Sequence, residues 1–299
     1  MKNTIFKGLL FLAALTISGC VNLKAVNDFA KTSKETVQDY SKSGISLTAS
    51  YKEIMISRCL YNYGISKDTV ILNKVPKDLN DCFDPQKLSR YKKSDSLITL
   101  VNTIIERYFK GLEELSNNET TSFDLNADNL EALLKDKTAF PSVNENHIKA
   151  SKGIVTLLTN ASVETYRRKK LAQVIRDADE SLALILEMYM GINSDIKAAL
   201  MIEIENNFQD YETSFVSASN DFDKVKAGKL YLEHYNSLQS KIEVNENFSD
   251  ALKSMVEGHK KLVENGNNLD TKSLIKDIAS YTTAIVEIKN EINKLKENE

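Results

Sequence analysis

The chain has 299 residues, of which 42% are hydrophobic and 27% are charged, with 10 Gly, 3 Pro and no Trp. This composition is typical of a folded globular protein of one or two domains. Its 39 Lys and Arg residues nearly balance 42 Asp and Glu residues, which excludes a nucleic-acid-binding protein that depends on a strongly basic surface. The scarcity of Pro and Gly argues against a turn-rich β sandwich or barrel.

The first twenty residues have the pattern of an export signal. Lys2 and Lys7 give a positive start, and Gly8–Leu15 is an apolar core too short to span a bilayer. Together with the Ile17-Ser18-Gly19-Cys20 segment that follows, this stretch resembles the signal of bacterial lipoproteins. The resemblance implies that residues 1–19 are a signal peptide that is removed and that Cys20 is lipidated (palmitate). The alternative is a plain secretory signal or signal anchor with an accidental Cys20.

The expected location of the mature chain follows from this signal. Two or three acyl chains on one cysteine hold a protein stably on a membrane. We therefore expect the membrane to be a partner of this chain through the lipid anchor. No other stretch has 18 uninterrupted apolar residues, so the sequence predicts no transmembrane helix. Val21 stands where a retention signal resembling that of enteric inner-membrane lipoproteins would have Asp. We expect a cell-envelope protein, in the outer membrane if the source is Gram-negative, facing the periplasm or the outside.

The two remaining cysteines, Cys59 and Cys82, suit a compartment outside the reducing cytoplasm. A reactive thiol pair or a metal site is the alternative, but there is no Cys-x-x-Cys and no nearby His. We predict a structural disulfide. Closing a loop of this length stabilises a fold by about 3.4 kcal/mol in the chain-entropy model.

The first part of the mature chain is dominated by apolar positions spaced three and four residues apart. From Val26 to Ile54 they predict one helix of about 35 residues with a heptad pattern. Residues 60–92, with Gly64, Pro76 and Pro85, are predicted to form a loop-rich insert. Further helices are expected over Ser94–Ser116 and Ala127–Lys135. After Pro141, Ser142-Val143-Asn144-Glu145 matches a capping box that starts the next helix.

The second half of the chain has helical spacing almost to its end. One stripe runs from Leu171 to Tyr189 and is expected to end at Gly191, with Asn193 or Ser194 capping the next helix. Four further stripes span residues 201–225, 232–242, 248–262 and 274–295, with Gly266 ending the third of them. The sequence predicts that residues 20–299 form a single domain. Its fold is an elongated all-α antiparallel helical bundle of five to seven helices with coiled-coil-like segments. The apolar stripes have to pair within the chain or between chains.

Candidate catalytic residues are few and scattered. His147, His234 and His259 are far apart in sequence and match no metal-ligand motif, and we expect His259 to be a core histidine. Ser-x-x-Lys at Ser89 and Ser273 lacks the partner motifs of penicillin-recognising enzymes. No Gly-rich phosphate loop or nucleophile elbow occurs, so we predict no catalytic residues, no metal and no cofactor.

One basic run and the tyrosines remain as candidate contact residues. Arg167, Arg168, Lys169 and Lys170 either contact an anionic surface such as lipid headgroups or face solvent along a helix. The twelve Tyr suit the half-exposed edges of a bundle or a partner groove.

The leading hypothesis is a non-catalytic, lipid-anchored envelope protein that presents a helical surface to a protein partner, as a scaffold, adaptor or accessory subunit. The alternative is a helical-bundle module that binds a small ligand or lipid between its helices. An enzyme is the third hypothesis, and no nucleic acid partner is expected. An exposed apolar patch would favour the first hypothesis, whereas a closed internal cavity would favour the second.

Overall fold

The structure, a computed structural model, describes residues 23–64, 79–117, 143–161, 167–266, 268–269 and 271–297. Within these ranges the chain forms seven α-helices and no strand, which confirms the all-α prediction. The predicted signal segment and the predicted helix at Ala127–Lys135 lie outside the described residues. The helices are α1 (Lys24–Ser41), α2 (Leu47–Gly64), α3 (Pro85–Ser116), α4 (Glu145–Ala161), α5 (Arg167–Ser217), α6 (Asp221–Glu264) and α7 (Lys272–Glu297).

The bundle is built around a long antiparallel hairpin formed by α5 and α6, the pair of helices with the most extensive contact. With 51 and 44 residues, these helices are about 77 and 66 Å long. Pairs such as Asn193–Ser249 and Glu203–His234 fix the antiparallel register. Helix α7 packs on α6, and α1 packs on α3, α6 and α7. One continuous hydrophobic core contains residues of α1 and of each helix from α3 through α7. Helix α2 contributes Leu47 to this core.

The predicted first helix is wrong in one respect, because it is two helices. It ends at Ser41, Gly44 adopts a positive φ of 73°, and α2 begins at Leu47. Asp95 of α3 caps the new start by accepting hydrogen bonds from the backbone N–H groups of Leu47 (2.8 Å) and Thr48 (3.1 Å). Tyr40 and Leu47 are both buried, so the apolar spacing continues across the break and hides it.

The predicted loop-rich insert 60–92 is also too wide. Helix α2 continues to Gly64, a short 3-10 helix spans Leu79–Cys82, and α3 begins at Pro85. Pro85 occupies the first helical turn, where its missing N–H costs nothing, and Asp84 accepts from the N–H groups of Gln86 and Lys87. Proline therefore starts a helix here instead of marking a loop.

Three further boundaries differ from the predictions. Asn144 caps α4, because its Oδ1 accepts from the N–H groups of Asn146 and His147, and Ser142 of the predicted capping box lies outside the described residues. Gly191 does not end a helix, since α5 runs through it. The stripe predicted over residues 201–225 crosses a turn between α5 and α6, where Asn220 caps α6 by accepting from the N–H of Asp223.

Candidate interaction surface at the hairpin end

The predicted site residues occupy different parts of the molecule. Cys20 lies outside the described residues. Cys59 of α2 and Cys82 of the 3-10 helix form a disulfide, with Cα atoms 5.7 Å apart. Arg167, Arg168, Lys169 and Lys170 form the first turn of α5, and Lys170 is half-buried. The structure does not describe the other three side chains.

The most enzyme-like group of side chains extends from the core to a partly exposed carboxylate. The Tyr108 hydroxyl lies 2.6 Å from His259 Nε2, and His259 Nδ1 lies 3.3 Å from Asp179 Oδ1. An ionised carboxylate only accepts, so Nδ1–H of His259 donates to Asp179, and a ring that carries its only proton on Nδ1 has Nε2 available to accept from the Tyr108 hydroxyl. Tyr108 and His259 are buried, as expected for a core histidine, whereas the Asp179 side chain is 42% exposed.

The electrostatics of this group agree with a structural role. The hydrogen bond from His259 is the main reason why the pKa of Asp179 lies below its usual value, although burial opposes the shift. Burial raises the pKa of the Tyr108 hydroxyl well above its ordinary value, so Tyr108 stays protonated and remains a donor. Among the described residues, no group of three or more His, Cys, Asp or Glu side chains could hold a metal ion.

A second polar layer lies where α1, α3, α5 and α6 meet. The Tyr40 hydroxyl donates to Asn245 Oδ1 (2.8 Å), Asn245 Nδ2 donates to the carbonyl of Asn193 (2.8 Å), and the Tyr189 hydroxyl donates to Asn102 Oδ1 (2.6 Å). All five side chains are buried. Helical spacing did not predict the three asparagines, and the helix cap expected at Asn193 is wrong. The sequence signal that could have identified them is that each asparagine occurs among the apolar residues of a helix stripe, where a buried polar side chain needs a hydrogen-bond partner.

The exposed apolar side chains concentrate at one place, the hairpin end, which we define as residues 201–217 of α5 and 221–235 of α6. Of the eleven large apolar residues that are exposed in the described part of the chain, nine lie there. They include the residues predicted to form an apolar stripe over 201–225. The nine residues are Met201, Ile202, Phe208, Phe215, Val216, Phe222, Val225, Leu230 and Leu232.

Helix α2 covers one side of the hairpin end through polar contacts. Ser50 donates to Glu203, Ser57 donates to Asp210, and the Arg58 guanidinium donates to Asn206 Oδ1. His234 of α6 contacts the same buried Glu203 at 3.2 Å. These contacts hold the hairpin end to α2 and give it a fixed position relative to the rest of the bundle.

An open groove of about 710 Å³ lies between α2, α5 and α6 at the hairpin end. Stacked rings of Tyr211 and Tyr231, with centroids 4.8 Å apart, contribute to its wall. The Nδ2 atom of Asn207, also in the wall, is buried and has no hydrogen-bond partner. The other lining side chains mix acidic, basic and apolar groups, among them Glu53, Ile56, Asp210, Asp223, Lys226, Leu230 and His234.

In the described residues, no helix combines the length and apolar character needed to cross a membrane. No protein-family model matches this chain, and no solved structure is significantly similar to it. The chain is 25% identical over 221 residues to one of the subunits of the nuclease SbcCD of Staphylococcus aureus (strain MRSA252). That similarity covers 69% of this chain but 21% of the relative, so the chain spans about a fifth of that protein's length. At this identity and coverage, the similarity does not assign a family.

Proposed function

We propose that this chain is a non-catalytic, lipid-anchored envelope protein that presents the hairpin end to a protein partner, as a scaffold, adaptor or accessory subunit. The proposal depends on one observation, the concentration of exposed apolar side chains at the hairpin end. Contiguous apolar surface on a folded protein marks an interaction site more often than scattered single residues do.

The position of the hairpin end agrees with a membrane anchor at Cys20. Cys20 precedes the start of α1 by four residues. Phe29 of α1 packs on Gly258, whose neighbour His259 contacts Asp179, so Phe29 and Asp179 lie at one level of the bundle. Tyr40 and Tyr189, further along α1 and α5, are also in contact. Helix α5 therefore runs in the direction of α1 and ends about 57 Å beyond that level, 38 residues after Asp179.

The basic run lies at the opposite end of α5 from the hairpin turn. Arg167 precedes Asp179 by 12 residues, which places the run at the end of the bundle where α1 begins. We propose that Arg167, Arg168, Lys169 and Lys170 contact anionic headgroups of the membrane that holds Cys20. The alternative is a solvent-facing helical turn with no partner on the membrane.

The groove at the hairpin end suits an amphipathic helix of the partner. Tyr211, Tyr231 and Leu230 offer apolar surface, and Glu53, Asp210 and Asp223 supply acidic groups around it. A helix with an apolar stripe and basic flanks would match this lining. An acceptor on that helix could also satisfy the unpaired Nδ2 of Asn207, which is costly to leave buried without a partner.

A small ligand or lipid is the second candidate for the groove, because its volume lies within the range of ligand pockets. Its open form favours the protein partner, since a small ligand is usually enclosed over most of its surface. The expected location of the chain is the cell envelope, with the outer membrane favoured if the source is Gram-negative.

The test is site-specific photocrosslinking in intact cells. A photoreactive residue at Leu230, which lines the groove and is 57% exposed, is expected to capture a defined envelope protein. The same residue at Lys276, which is exposed on α7, serves as the matched control. Identical capture from both positions, or turnover of a cell-wall substrate by the purified chain, would contradict the proposal. Loss of palmitate labelling in Cys20→Ala tests the anchor separately.

A further inference from the structure

The hairpin end has a second face, which neither α2 nor the groove covers. On α5 it carries Met201, Phe208 and Phe215, spaced by seven residues and exposed by 55%, 47% and 41%. At about 100° per residue, these side chains lie roughly opposite Asp210, which contacts α2. On α6, Val225 and Leu232 are likewise spaced by seven residues.

Those two α6 side chains are exposed by 71% and 56% and lie roughly opposite the groove residue Leu230. Both stripes therefore belong to one side of the hairpin, which we call the open face. It consists of Met201, Phe208, Phe215, Val225 and Leu232, together with the charged residues that flank them.

Two acidic residues flank the α5 stripe of the open face, and one basic residue occupies the equivalent position beside Val225 on α6. On α5, exposed Glu205 and Glu212 follow Met201 and Phe208 by four residues, and no Lys or Arg occurs between residues 198 and 217. On α6, Lys229 follows Val225 by the same four residues. Lys229 also contacts Glu233 of its own helix at 3.7 Å, an exposed pair that contributes little.

The antiparallel register of the hairpin aligns these features. Phe208 and Tyr211 both contact Tyr231, and Glu203 contacts His234. To within a residue or two, this register sets Phe208 level with Leu232, Glu212 with Lys229, and Phe215 with Val225. Phe208 and Phe215 thus each have an apolar residue at their level on the other stripe, and Glu212 has a base, whereas Met201 lies level with Gln239.

We propose that a second copy of this chain covers the open face. A twofold axis parallel to the hairpin brings α5 of one copy against α6 of the other at the same level, so the register within one copy is repeated between copies. Phe208 then meets Leu232 of the second copy, Phe215 meets Val225, and Glu212 faces Lys229. The two hairpin ends form an antiparallel four-helix arrangement that buries the stripes.

This inference rests on the proposed function in one respect. A twofold axis parallel to the hairpin makes both hairpin ends point in the same direction, as two copies anchored at Cys20 in one membrane would require. The arrangement leaves the groove beside α2 uncovered, so that a different protein can dock there.

The first test measures the mass of the full chain in detergent by sedimentation over a concentration series. The wild type is expected to form dimers, and Leu232→Glu to weaken the dimer by about tenfold or more, because it places an unpaired charge in the interface. Val286→Glu is the matched control, since Val286 is an exposed apolar residue on α7 and its replacement should leave the dimer unchanged. A monomeric wild type, or equal effects of both variants, would overturn the proposal.

The second test uses charge exchange, which does not depend on removing apolar surface. Glu212→Lys and Lys229→Glu should each weaken the dimer, because each places like charges at one level of the interface. The double variant should recover most of the loss, since it restores opposite charges between copies. Additive weakening in the double variant would contradict the proposed pairing.

The two proposals fail in different ways. If the chain is a monomer but still gives a photocrosslink to another envelope protein from Leu230 in the groove, the second copy is excluded and the partner proposal stands. If the chain is a dimer but captures no other protein, the partner proposal is contradicted and the self-association proposal stands. Binding of a foreign helix to the open face, with no dimer at any concentration, also overturns the second copy as its occupant.

Discussion

Buried polar side chains fix the levels at which the helices of this bundle meet. Tyr108 of α3, His259 of α6 and Asp179 of α5 form one such level, and Tyr40, Asn193 and Asn245 form another. An apolar stripe can slide by a turn and still bury its side chains. A slide here would leave these hydrogen-bonding groups unpaired in the core, which is costly. The polar levels therefore select one register among several that would bury the same apolar surface.

Asp179→Asn tests the contribution of the first polar level. Because the folded pKa of Asp179 lies below its unfolded value, the ionised carboxylate stabilises the fold above about pH 4, and this contribution is lost as the pH falls through the folded pKa. The side chain is 42% exposed, so we expect a loss of under about 1 kcal/mol at pH 7.

The measurement is urea unfolding at pH 7 and at pH 3, where the difference between Asp179→Asn and the wild type should shrink. Asp177→Asn, on the same helix but exposed, is the control and should stay within about 0.5 kcal/mol of the wild type at both pH values. An effect of Asp179→Asn that is equally large at both pH values would mean that ionisation is not its cause.

Two glycines inside helices should respond in opposite ways to alanine. A Cβ at Gly258 would lie 2.5 Å from Cε2 and 2.7 Å from Cζ of Phe29, a ring that is fully buried. Gly258→Ala is therefore expected to destabilise by about 1–3 kcal/mol. A Cβ at Gly191 would meet nothing within 4 Å, so Gly191→Ala should stabilise α5 by roughly 0.5–1 kcal/mol. Thermal unfolding checks both, and a shift of the same sign for the two variants would contradict the packing of α1 on α6.

At the scale of helices, α1 and α2 behave as one interrupted element. Tyr40 contacts Asn193, Ser50 contacts Glu203, and Ser57 contacts Asp210, each pair separated by 153 residues in sequence. The register against α5 is therefore the same on both sides of the break at Gly44. This continuity explains why apolar spacing alone predicted a single helix.

The disulfide between Cys59 and Cys82 ties the later part of α2 to the start of α3. The Tyr51 hydroxyl supports the same connection by accepting from the N–H of Asp84 at 3.1 Å. Replacing both cysteines by alanine should cost about 3 kcal/mol of unfolding free energy in the chain-entropy model. Denaturant unfolding with and without reductant measures this. The reductant should destabilise the wild type and leave the double variant unchanged, and a wild type insensitive to reductant would show that the bond contributes nothing.

The sequence predicted the helical class and the existence of most helices, because apolar spacing reports which face of a helix is buried. It failed where the local signal was ambiguous. Gly191 occurs inside α5 because its neighbours on the buried face, Tyr189 and Ile192, pack in the core and hold the helix together. Apolar spacing predicts the stripe over 201–225 but gives no information on what covers it, and Phe208 and Phe215 are exposed.

For the whole molecule, the helix ends that lie together determine which end of the bundle is close to the proposed anchor at Cys20. Lys289 of α7 contacts Glu35 of α1 at 2.6 Å, and Asn293 contacts Asp39 at 3.2 Å, so α7 runs parallel to α1. Ser273, at the start of α7, therefore lies near the end of the bundle where α1 begins. Ser219, in the turn between α5 and α6, lies at the far end of the bundle.

This geometry predicts unequal distances from the membrane. If the proposed lipid on Cys20 holds the full chain on vesicles, a donor dye on Ser219→Cys should transfer little energy to an acceptor dye in the lipid headgroups, because the turn lies about 57 Å beyond the level of Asp179. The same dye on Ser273→Cys should transfer energy strongly, since that position is close to the proposed anchor. Both serines are exposed, so labelling should leave the core intact. Equal transfer from the two positions would mean that the bundle lies flat on the membrane, in which case the hairpin end could not serve partners away from the bilayer.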